Sequence, residues 1–158
     1  MKASELKTLI YSPIWTSKIL HYFLSGAMDV NEQGLKFELL YFALPFIFDE
    51  IVNLKLVRSK KSSTLTTVFD SNELKKQLID KDEQIDRFRE ITNEGFIYLS
   101  TNEKVAVGEY ITIKNIINYK QENHLYLKQK YKASYNWGYI LAKEDYLTIF
   151  LKIGVTKI

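Results

Sequence analysis

The sequence predicts a mainly α-helical fold with one short β-hairpin, an α+β order resembling a winged helix, built around a buried helix kinked at a proline. Three observations lead there. Residues 39–48 pass without a charge, and all but Pro45 are aliphatic or aromatic. Amphipathic stretches of helical period flank that run on both sides. Between residues 104 and 114 the pattern changes to β-formers on either side of Gly108.

The apolar run sits within residues 34–56, GLKFELLYFALPFIFDEIVNLKL. A helix that is apolar all round must be enclosed by other elements. Glu38 and Asp49 bound it at about half of the ~20 apolar residues that a bilayer requires, so a core helix is expected rather than a membrane span. Pro45 lacks the amide that residue 41 would accept, which predicts a kink there or a split into two helices. Gly34 suits the turn just before, and Asp49, Glu50 and Asn53 are expected to give the second half a wet face.

Before this segment, Ser12 is placed to cap a helix with Pro13 at its first position. Ile14, Trp15, Ile19, Leu20 and Phe23 follow at helical spacing, and SGAMDVNEQG is expected to end that helix. The amino-terminal stretch MKASELKTLIYSP lacks the uninterrupted apolar core of a signal peptide. After residue 56 comes RSKKSSTLT, read as an exposed basic loop. A short helix from Asp70 or Ser71 follows, with Asp70 and Glu73 spaced like a capping box. The next helix, from about residue 80 to Ser100, opens on Asp80, Asp82 and Glu83 and keeps Ile85, Phe88, Ile91 and Gly95 on one face. Past the hairpin, residues 115–143 are expected to be helical, with Gly138 allowing a close approach. A last helix opens at Glu144 and Asp145 and closes before Gly154. With 158 residues and no internal repeat, one domain spanning 1–158 is the expectation.

Composition narrows the classes of function. There are 22 basic and 19 acidic residues, spread evenly over the two halves, so no basic tail announces nucleic acid. The absence of Cys removes disulfides, thiolate metal sites and a Cys nucleophile. A cytoplasmic location is the expectation. His21 and His124 stand in none of the spacings that pair two ligands on one metal, and each is read as a structural or surface histidine. The six glycines make no phosphate-binding loop, and no GxSxG elbow occurs. No enzyme and no cofactor are expected.

The stretch INYKQENHLYLKQKYKASYNWGY is the best candidate for contact, since residues 114–132 carry five lysines against Glu122 alone. Tyr126, Lys128, Lys130, Tyr131, Lys132 and Trp137 are its candidate contact residues, with Arg58, Lys60 and Lys61 of the basic loop beside them. Lysines there can neutralise phosphates while the rings stack on bases. Rings packed inward above a solvated lysine face, and a protein partner, are the competing readings.

The order of these pieces resembles the small middle component of bacterial three-component ABC systems, of which Lamassu-type defence operons are one branch. The likeness runs through Ser12-Pro13-Ile14-Trp15, then Phe42-Ala43-Leu44-Pro45-Phe46-Ile47, then Arg87 to Gly95, then Lys132-Ala133 to Gly138, and finally Gly154-Val155. Ser12 where the family has Asn, and the added length between Lys114 and Lys132, depart from its pattern. The resemblance implies a non-catalytic adaptor between an SMC-like or Rad50-like ABC ATPase and an effector subunit, often a nuclease, held inactive until foreign DNA is sensed. Contact with DNA would come through the complex, and no membrane is involved. A stand-alone winged-helix regulator, reading duplex DNA with the helix from 80 to 100 and the hairpin, is the other reading; the acids at that helix's start count against it.

Overall fold

The computed structural model describes residues 2–5 and 12–156. The stretch read for a leader lies largely outside them. The chain is mainly α-helical with a small antiparallel sheet, and among the described residues no helix is long and apolar enough to cross a membrane.

The helix that the others enclose is α1, Pro13–Val30, rather than the apolar segment that follows it. From Trp15 to Ala27 every residue but Lys18 is buried. Its polar residues hide this in the sequence because each satisfies itself locally or pins a loop. Thr16 and Ser17 donate back to the carbonyls of Ser12 (3.1 Å) and Ile14 (2.7 Å). Ser25 accepts from the amide of Ile117 (3.1 Å), and His21 Nε2 meets the carbonyl of Asn115 (2.7 Å). Pro13 stands at the first helical position as expected. Ser12 makes no side-chain cap, and the helix continues through the SGAMDV stretch expected to end it.

Residues 34–56 form several short pieces instead of one kinked helix. Gly34, at φ 91°, turns the chain into β1, Leu35–Lys36; a 3-10 turn, Phe37–Phe42, then leads to α2, Ala43–Ile47, and α3, Glu50–Val57. The break falls at Asp49, not at Pro45. Pro45 lies in the first turn of α2, where helical amides have no intrahelical acceptor, while Asp49 caps α3 by accepting from Ile51 and Val52. The run is still core: Leu39, Leu40, Phe42, Ala43, Leu44, Phe46 and Ile47 are all buried. Asn53 is buried too, against the expected wet face, with its amide donated to Ile47 O at 3.0 Å.

The basic loop leads to α4, Leu65–Val68, closed by a Thr64–Thr67 capping box, and α5, Asn72–Lys76, capped by Ser71 while Asp70 pairs with Lys55. Then α6, Lys81–Asn102, buries Ile85, Thr92, Gly95 and Leu99. The hairpin forms as β2, Val105–Val107, and β3, Tyr110–Ile113, and β1 adds to it in the order β1-β3-β2, all antiparallel.

Residues 115–124 are not helical apart from a 3-10 turn, Tyr119–Gln121, because Asn115 and Ile117 give their backbone groups to α1. α7, Leu125–Ala142, starts where His124 caps it through Nδ1, and α8, Tyr146–Ile153, runs from the Asp145 cap to Gly154 at φ 81°. α1 packs between α6 and α7. At the α1–α7 crossing Gly26 and Gly138 bring the two backbones together: a Cβ on either would lie 1.9 Å from the other helix's carbonyl oxygen, at Tyr135 and Phe23.

Candidate interaction surfaces

The fold divides the nine expected contact residues. Trp137, Tyr131 and Lys130 are buried, and this corrects the expectation that they face a partner. Trp137 donates its indole N–H to Phe42 O at 2.9 Å and packs on Phe46. Tyr131 stacks on Tyr22 with ring centres 4.5 Å apart. Lys130 reaches inward to the carbonyl end of α2: its ammonium donates to Ile47 O (3.3 Å), which also accepts from Asn53, and to Glu50 (2.9 Å). Lys81 does the same from α6, donating to Pro45 O (3.1 Å), Asp49 (3.1 Å) and Gln84 (2.8 Å). Two buried cations thus hold the negative end of α2 from two sides. Sequence reasoning assigned Lys130 to the surface and Lys81 to nothing, since a buried lysine carries no local pattern.

Burial lifts the Tyr131 phenol to about 12. A group whose pKa is raised on folding stabilises fully below its unfolded value near 10, and that contribution is lost as pH climbs through about 12. Tyr131→Phe should therefore flatten the alkaline loss of stability. Urea melts between pH 9 and 12 check this, and parallel declines for the two proteins would refute it.

Tyr126, Lys128 and Lys132 are half-buried on α7, whereas Arg58, Lys60 and Lys61 are exposed. The fold brings that loop onto the carboxyl-terminal half of α7. Asn136 Nδ2 donates to Leu56 O (2.8 Å) and Ser59 O (3.3 Å), and Lys143 donates to Ser63 O (2.7 Å) and to Lys61 O. The desolvation this imposes lowers the Lys143 pKa.

α6 has the opposite character. Glu83, Asp86, Arg87, Glu90 and Glu94 are exposed along it, and Ile97 and Tyr98 follow with 65% and 38% of their surface open. Tyr98 leads into a groove of about 650 Å³ between α1, the end of α6 and residues 116–122. Exposed Ile14 and Ile116 rim it, His21 lies in its floor, and Lys18 and Glu122 supply charge. No cluster of three metal-ligating side chains occurs among the described residues.

The described residues thus form a mainly helical unit with outward faces of distinct charge and an open, partly apolar groove. Residues 2–157 match the model of the family described as ABC-three component (ABC-3C) system Middle Component 3, and the chain belongs to that family. Neither a curated protein nor a solved structure matches it.

Proposed function

We propose that this chain is a one-domain, non-catalytic adaptor in a cytoplasmic defence complex of the Lamassu kind. It would join an SMC-like or Rad50-like ABC ATPase to an effector subunit, a nuclease in the simplest case, and keep the effector inactive until foreign DNA is engaged. Family membership over residues 2–157 carries this reading. Coupling of this sort needs differential contacts in two states of the complex, and the acidic α6 face and the adjoining groove offer a surface for them.

The element order supports a winged-helix reading of the core: a helix, a short strand, further helices, then a hairpin whose second strand pairs with the first. In that reading α6 holds the position of the helix that enters DNA. Its exposed Glu83, Glu90 and Glu94 would face phosphates, which favours the adaptor over a stand-alone regulator reading bases.

Co-expression with the chromosomal neighbours tests the adaptor role, with a tag on this chain and light scattering on the eluate. The expected result is a stable complex holding the ATPase and a third protein. Elution of this chain alone and folded would overturn the proposal.

A further inference from the structure

Two basic stretches far apart in the sequence lie on one face of the molecule. The turn carrying Arg58, Lys60 and Lys61 is tied to α7 through Asn136 and Lys143, as described above. Lys132, Asn136, Tyr139 and Lys143 succeed one another at helical spacing and share one stripe of α7. From Lys132 to Lys143 the stripe is about 16 Å long at 1.5 Å per residue, roughly half of the ~34 Å turn of B-DNA. The Tyr139 ring lies under both the Lys143 and Lys61 ammoniums, at 4.8 and 6.0 Å. Lys128 continues the stripe one turn earlier.

Acids are few on this face. Asp29 stands 4.0 Å from Lys61 and is engaged by the Tyr135 hydroxyl at 2.8 Å. Glu144 is held by Lys152 at 3.1 Å. Among the described residues the ion pairs within 4.0 Å include none at Arg58, Lys60, Lys128, Lys132 or Lys143. Protein interfaces are anchored chiefly on aromatic side chains and Arg at their centre, and here Trp137 and Tyr131 are turned inward. What remains outside is a line of cations around the partly exposed Tyr139, a footprint suited to a phosphate backbone.

We infer that the face formed by Arg58, Lys60, Lys61 and Lys132, with Lys143 pinning the turn to α7, contacts the phosphodiester backbone of duplex DNA without reading its sequence. The contact is independent of the adaptor role: a chain that assembles with its ATPase yet leaves DNA alone would keep the first proposal and lose this one.

The test is fluorescence anisotropy of the full chain with labelled 20-bp duplexes of unrelated sequence. About four phosphate contacts give a slope of log K on log salt near −3.6, so binding weakens by roughly 150-fold between 50 and 200 mM NaCl. All duplexes should bind alike. The triple variant Arg58→Gln/Lys60→Gln/Lys61→Gln should bring the slope to about −0.9 with its circular dichroism unchanged. Lys75→Gln/Lys76→Gln/Lys104→Gln, exposed lysines elsewhere, should leave it as it was. Absence of binding at 50 mM, an unchanged slope in the first triple variant, or an equal loss in the second would each overturn the inference. So would loss of a protein partner, with DNA binding intact, in the first triple variant: the face would then belong to that partner.

Discussion

Gly138→Ala is expected to lower the free energy of unfolding by about 3 kcal/mol, a large share of the ~5–15 kcal/mol that holds a typical domain together. The sign is the informative part. On helix propensity alone, Gly to Ala inside a helix gains up to ~1 kcal/mol. Here the added carbon would lie 1.9 Å from Phe23 O and 3.2 Å from Ala27 N, both backbone atoms that no rotamer change can move aside. α1 and α7 would have to separate along their length, losing the burial of Phe23, Trp137 and Leu141. Gly26→Ala meets Tyr135 O at the same distance and should cost about as much. Gly108→Ala is the control: nothing lies within 4 Å of its new carbon, so it should stay within ~0.5 kcal/mol of wild type. Urea denaturation followed by circular dichroism measures all three. A stabilised Gly138→Ala protein would mean that the helices do not cross there.

The second large effect is expected at the buried cations. Lys81→Met keeps the volume of the side chain but withdraws the donor from Pro45 O and Asp49. Breaking a buried pair from one side costs ~3–5 kcal/mol. Asp49 retains the amides of Ile51 and Val52 and some solvent, which puts the expected loss at the lower end, about 3 kcal/mol. Adding Asp49→Asn should recover part of it, because the orphaned charge is what the single variant leaves behind. The dependence on pH has a definite sign. Burial holds the Lys81 pKa below 10.5, against the opposing pull of Asp49. Between that lowered value and 10.5 the unfolded chain binds more protons, so wild type should gain stability relative to Lys81→Met as pH rises through that window. Paired urea melts from pH 8 to 10.5 check this, and a difference that shrinks with pH would refute it.

The sequence showed the hairpin around Gly108, the helix opened by Pro13, the Gly154 terminus and the inner face of α6, because each has a local signature: a φ-fixing residue, a turn residue or a repeat of apolar side chains. It also marked Gly138 as a point of close approach. What it concealed came from distant partners. Ser17, His21 and Ser25 carry no apolar signal, yet they are buried because they find their own carbonyl or residues 115–117. The same pairing kept residues 115–124 from forming the expected helix. Lys130 looked like its neighbours Lys128 and Lys132, and only the carbonyl ends of α2, some 80 positions away, distinguish it. The basic face was half legible, since both stretches were noted but nothing local said that they meet.

The crossing at Gly26 and Gly138 also sets a timetable for the newborn chain. Its two glycines are 112 positions apart, so at ~5–20 residues per second α1 waits roughly 6–20 s for the helix that covers it. During that interval the side of α1 that will carry Phe23 and Leu24 has no permanent cover. Contacts so far apart also slow the folding that follows synthesis.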